Sequence, residues 1–188
     1  MPQNLLNTAI RDMQQALEAC RACAPALERW VSLTVEVFRS GHKVLLCGNG
    51  GSHAQAQHLA VEYTVRFKKD RPPLPAVALS SDPAYLTAHT NDMGFEGVFA
   101  RQVEALGEPG DLLVALSTSG RSANVLRAIE TARRRGLHTV FLTGPDPARV
   151  AADLVIPVPV QGTARIQEVH LFLGHVWVDA VEARLGYR

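Results

Sequence analysis

The sequence predicts an α/β protein in which a parallel sheet is covered by helices on both faces. Five short, uninterrupted apolar runs recur along the chain, and stretches of helical period separate them. A strand buried on one face alternates apolar with polar residues. A strand buried on both faces does not, and such strands belong to parallel sheets roofed on either side. With 188 residues, 47% hydrophobic and 20% charged, the chain has the material for one core, so residues 1–188 are read as a single domain.

Residues 4–40 read as two helices. Leu5, Leu6, Ile10, Met13, Leu17 and Cys20 recur at helical spacing, and Pro25 suits the first turn of a second helix carrying Leu27, Trp30, Val31, Val35 and Phe38. Helices placed before any strand suit an oligomerisation arm, and equally a cap on the domain's own core. After Gly41 the rhythm changes to apolar runs at 43–47, 77–80, 111–116, 139–143 and 154–158. Helical stretches at 52–66, 97–106 and 122–135 lie between them, and residues 163–185 read as one long helix. Arg71-Pro72-Pro73-Leu74-Pro75 is a stiff connection within the domain.

The charge balance excludes some classes of partner. Nineteen Lys and Arg against 18 Asp and Glu leave a formal charge of +1, too little for a general grip on nucleic acid. Arg133, Arg134 and Arg135 sit where a helix should end and complement its dipole. No stretch reaches 18 apolar residues and the first residues lack a secretory pattern, so a cytoplasmic protein without a membrane span is expected. Cys20 and Cys23 form a C-x-x-C pair with no second pair at zinc-ribbon spacing. They and Cys47 read as buried, reduced cysteines.

The chemistry is expected beyond the carboxyl ends of the strands, where open parallel sheets bind ligands. Gly48-Asn49-Gly50-Gly51-Ser52 and Ser117-Thr118-Ser119-Gly120-Arg121-Ser122 each join a strand to a helix. Small residues let backbone N–H groups approach an anion, and the helix N-terminus favours it. A helix cap needs one hydroxyl, and the second loop offers four, so it reads as a phosphate site for a small metabolite. His58 and Glu62 share a helix face. Gln167, Glu168, His170 and His175 stand among the apolar residues of the last helix. Gln167 and His175 lie about 12 Å apart along it, so they meet at one centre only by leaning together or from different subunits.

The order of these elements is familiar. Cys47-Gly48-Asn49-Gly50-Gly51-Ser52, His58-x-x-x-Glu62, Asn91-Asp92, Ser117-Thr118-Ser119-Gly120-x-Ser122-Ala123-Asn124 and Arg165-Ile166-Gln167-Glu168-Val169-His170 closely resemble the phosphoheptose isomerase family of the sugar isomerase (SIS) domain superfamily. The resemblance covers nearly the whole chain. It implies a flavodoxin-like three-layer sandwich with five parallel strands, and a homotetramer with active sites between subunits and residues 1–40 in the contacts. The implied reaction interconverts D-sedoheptulose 7-phosphate and D-glycero-D-manno-heptose 7-phosphate, the first step toward activated heptoses. Ser52, Ser117, Thr118, Ser119 and Ser122 would hold the phosphate. Asn49, Gly50, Gly51, Asn91 and Asp92 would line the sugar. One zinc ion per subunit would be bound by His58, Glu62, Gln167 and His175.

Aldose–ketose isomerisation through an enediol needs a base beside the carbon and an acid near an oxygen. Glu62 is the expected base and His175 its acid/base partner, with Gln167 also facing the substrate. Many members carry Asp immediately before Arg-Ile-Gln; Ala164 stands here and removes a possible polar contact. The turn Thr143-Gly144-Pro145-Asp146-Pro147 is expected to lie away from the chemistry. Two other readings remain: a non-catalytic regulator of the same fold that binds the replication initiator DnaA, and an isomerase of another phosphosugar. Glu62 and His175 are both present, which favours the isomerase.

Overall fold

The computed structural model describes residues 2–187. Helix α1 (Pro2–Ala19) runs through a 3-10 turn (Cys20–Cys23) into α2 (Ala24–Arg39), with Pro25 in its first turn. Then follow β1 (Val44–Gly48), α3 (Gly51–Thr64), β2 (Ala76–Ala78), α4 (Pro83–Met93), a 3-10 turn (Phe95–Gly97), α5 (Val98–Leu106), β3 (Leu112–Ser117), α6 (Ala123–Arg134), β4 (His138–Thr143), β5 (Leu154–Pro157) and α7 (Thr163–Leu185).

All strand pairings are parallel and the order is β2-β1-β3-β4-β5, the flavodoxin-like order. Alternate residues of the central strands feed two cores. Val44, Leu46, Leu112 and Val114 pack toward α2, α3 and α7, while Leu45, Cys47, Leu113 and Ala115 pack toward α5 and α6. Trp30 of α2 stacks on Trp177 of α7 with centroids 4.2 Å apart, and Trp177 Nε1 donates to Thr34 Oγ1. The expected three-layer architecture and long last helix are both present.

Two elements differ from expectation. The second strand ends at Ala78, and Val77 is exposed at the sheet edge. The segment that carries Asn91 and Asp92 is the helix α4, started by the Asp82 carboxylate, which accepts from the Ala84 amide, and by Pro83. Its polar and apolar residues follow no 3.6 period, so periodicity did not reveal it.

All three cysteines are free and buried. Burial pushes the Cys20 thiol up to about 11 and that of Cys47 up to about 12, so they remain protonated packing residues. Leu5, Leu6 and Ile10 of α1 are exposed, and no helix among the described residues is long and apolar enough to cross a membrane.

Candidate active site

The two small-residue loops stand side by side at the carboxyl ends of β1 and β3, where the strand order reverses. A reciprocal amide pair ties them. Asn49 Nδ2 donates to Asn124 Oδ1 and Asn124 Nδ2 donates to Asn49 Oδ1, both at 2.8 Å. Asn124 is buried in the first turn of α6. In the sequence its only mark is an amide directly after the hydroxyl-rich loop, which by itself implies no role.

Ser117 Oγ lies 3.1 Å from Ser122 Oγ and 3.4 Å from Ser119 Oγ. Ser122 occupies the N-cap of α6, yet its side chain makes no capping bond. The hydroxyls therefore face one another at a helix N-terminus and are not consumed in closing the helix, as an anion site requires. Gly120 bends the loop at φ +63°, and a Cβ there would fall 2.5 Å from Thr143 Oγ1 and 2.6 Å from Pro147 Cα. Only glycine fits. The same contact corrects the expectation for residues 143–147. Ala148 N donates to Gly120 O and Arg121 Nη2 to Asp146 O, so this turn braces the hydroxyl-rich loop directly.

The second cluster forms where α3 crosses α7. His58 Nε2 lies 2.9 Å from His175 Nε2 and 3.3 Å from Glu62 Oε1. The rings of His58 and His175 meet edge to face at 5.1 Å, and Phe67 stacks on His175. Gly174 makes the crossing possible, since a Cβ on it would lie 2.7 Å from Leu59 Cδ2. Burial, then the neighbouring His58, pushes the His175 imidazole down, with Glu62 opposing. A neutral imidazole is both a usable base and a usable metal ligand.

The donor set fits a metal ion. One atom each from His58, Glu62 and His175 lie within 4.8 Å of one another. Two imidazoles and one carboxylate match the ligand set of catalytic zinc sites, which leave a fourth position open, with Zn–N near 2.0–2.1 Å. Gln167 makes other contacts. Its side chain sits beside Ser52, with Nε2 3.5 Å from Ser52 Oγ, and its carbonyl accepts from Gln55 Nε2.

The remaining residues fall in two places. Asn49, Gly50, Gly51 and the buried Ser52 form the turn into α3, with Ser52 N donating to Asn49 O. Asn91 and Asp92 are exposed at the end of α4, where Asn91 Nδ2 donates to Asp92 Oδ1. Beneath the glycine loop is a cavity of about 140 Å³ lined by Gly48, Asn49, Gly50, His53, Ser80 and three apolar side chains. Ser80 bends there with φ +62°, its amide donating to Gln102 Oε1. Nothing in the spacing of His53 and Ser80 marks them as lining this cavity.

The SIS domain family model matches residues 9–144. A phosphoheptose isomerase of Chlorobaculum tepidum is 55% identical over 161 residues, which span 83% of this chain and 77% of that protein. Among solved structures, a phosphoheptose isomerase of Neisseria gonorrhoeae superposes with a TM-score of 0.90 at 40% identity, covering 97% of this chain and 100% of that one. Another from Francisella tularensis superposes at 0.92 with 36% identity, covering 97% and 99%. The chain therefore belongs to the phosphoheptose isomerase family of SIS domain proteins, and is an aldose–ketose isomerase of a heptose phosphate.

Proposed function

We propose that this enzyme interconverts D-sedoheptulose 7-phosphate and D-glycero-D-manno-heptose 7-phosphate through a cis-enediol, the first step toward activated heptoses. The observation that carries the proposal is the convergence of His58, Glu62 and His175 on one point, in a chain with a separate hydroxyl-lined helix N-terminus for phosphate. Ser52, Ser117, Thr118, Ser119 and Ser122 hold the phosphate; Asn49, Gly50, Gly51, Asn91 and Asp92 line the sugar. The Glu62 carboxylate takes the proton from the carbon beside the carbonyl and returns it to the neighbouring carbon. His175 moves a proton between the two substrate oxygens.

One zinc ion per subunit, held by His58, Glu62 and His175 with Gln167 as a fourth donor, polarises the substrate oxygens when bound. The placement of the Gln167 side chain against Ser52 suits active sites built between subunits of a homotetramer. The exposed Leu5, Leu6 and Ile10 of α1 suit residues 1–40 to those contacts. Reduced, buried thiols suit the cytoplasm.

Ser117→Ala is expected to raise KM about tenfold or more with kcat little changed. A hydrogen bond to a charged group contributes about 1.5–3 kcal/mol, and a phosphate contact far from the reacting carbons acts equally before and during reaction. Initial-rate kinetics check this. The reaction itself is tested with zinc-loaded protein and sedoheptulose 7-phosphate in deuterated water, followed by NMR. The aldose heptose phosphate should form with deuterium at C2. A folded, metal-loaded protein that forms no aldose overturns the substrate assignment.

A further inference from the structure

Arg71 does more than stiffen the Pro-rich connection. Its side chain is 1% exposed, and all but one of its hydrogen bonds go to α3 or α7. Nε donates to Glu182 Oε1 at 2.7 Å, and the Glu182 side chain is 3% exposed. Nη1 donates to the Tyr63 carbonyl at 2.7 Å and to Pro72 O at 3.1 Å, and Nη2 donates to the Glu62 carbonyl at 2.7 Å. The guanidinium thus satisfies two of the carbonyls that the end of α3 leaves open, where a cation is favoured. It pins that helix end to α7.

The placement matters because these two helices carry the converging side chains. One bonded carbonyl belongs to Glu62 itself. Glu182 lies seven residues beyond His175, two helical turns or about 10.5 Å along α7 and on the same face. On the other side of the cluster, Gly174 admits Leu59. The crossing is therefore held at two points, one by close packing and one by a buried charge pair. Such a pair is costly to desolvate and contributes little net stability compared with apolar residues of the same shape. What its directional bonds do contribute is register. A planar fork bonded at three edges fixes both rotation and sliding of α3, which packing alone leaves softer.

We propose that Arg71 and Glu182 are positioning residues that set the separation of His58 and Glu62 from His175, and so the metal affinity and turnover of the centre. This rests on the reading of that triad as the reaction centre. Two variants test it. Arg71→Lys keeps the charge pair but replaces the fork with one ammonium that cannot span both carbonyls and the carboxylate. The double variant Arg71→Met/Glu182→Met removes the pair altogether and leaves no buried charge unpartnered, so it keeps the fold.

The readouts are thermal unfolding, kcat against KM, and uptake of Co²⁺ alone followed by its visible spectrum. Both variants should unfold near the wild-type temperature, keep KM within about threefold, and lose about tenfold or more in kcat and in Co²⁺ affinity, as supporting residues around metal ligands typically do. A folded double variant with wild-type kcat and Co²⁺ affinity overturns the assignment. Glu62→Gln separates this from the underlying reading. If the wild-type Co²⁺ spectrum survives Glu62→Gln, the triad is not the metal centre and both ideas fail. If Glu62→Gln abolishes it while the double variant retains it, the positioning role alone fails.

Discussion

Glu62→Gln is expected to lower kcat by about 10²–10⁴-fold, the range a positioned acid or base supplies, while the melting temperature stays close to wild type. The two parts of that expectation come from different observations. Glu62 has an 18% exposed side chain, and its carboxylate meets His58 at 3.3 Å at the mouth of the α3–α7 crossing. The amide keeps the shape and costs little stability, since substitutions away from core, cap or buried network usually stay within about 0.5 kcal/mol. What it removes is the only carboxylate of the cluster, and an amide cannot take a carbon-bound proton. Phosphate binding should persist, so KM should change much less than kcat. Steady-state kinetics alongside a melting curve decide it. A Gln variant within tenfold of wild-type kcat would remove Glu62 from the role of base.

Much of this site was legible in the chain because its signals are local. Runs such as 111–116 name a doubly covered strand without reference to anything distant, and four hydroxyls before α6 stand out as a candidate anion site on their own. His58 and Glu62 share a turn of one helix. The parts that spacing could not order are those decided by contacts between remote segments. Gln167 and His175 lie on the same helix, yet the structure places the first beside Ser52 and the second beside His58, because α3 runs along α7 and presents its N-terminus to one and its middle to the other. Arg71 read as part of a Pro-rich connector, and only the fold brings Glu182, 111 residues away, against it. The turn at 143–147 looked remote from the chemistry, since nothing in its composition reveals that Pro147 closes on Gly120. α4 was hidden for a different reason. Its helix is set by Asp82 and Pro83 at the N-terminus, not by an apolar stripe.

The stability of the fold should fall on mild acidification, by roughly 2–3 kcal/mol between pH 8 and pH 4.5 on account of His170 alone. His170 lies fully buried in α7. Its Nε2 donates to the Thr143 carbonyl at 3.2 Å, which fixes the tautomer because a carbonyl can only accept. Nδ1 has no partner among the described residues, so a second proton would place a charge in the core with nothing to receive it. Burial accordingly pushes the imidazole down to about 4, with the Thr143 hydrogen bond opposing. The unfolded chain binds the proton near the ordinary pKa of about 6.5, before the folded chain does. The stabilisation is therefore complete above pH 6.5 and is lost as pH falls toward 4, at about 1.4 kcal/mol per unit once the unfolded histidine is protonated. Urea unfolding of wild type and His170→Gln at pH 8 and pH 4.5 isolates this contribution, because every other titrating group is common to both chains. The wild type should lose roughly 2–3 kcal/mol more than the variant across that interval, and equal losses would assign the acid sensitivity elsewhere. Thr143 also opens the turn that braces Gly120, so the same proton should loosen the proposed phosphate loop, and KM should rise in the wild type at the acid end more than in the variant.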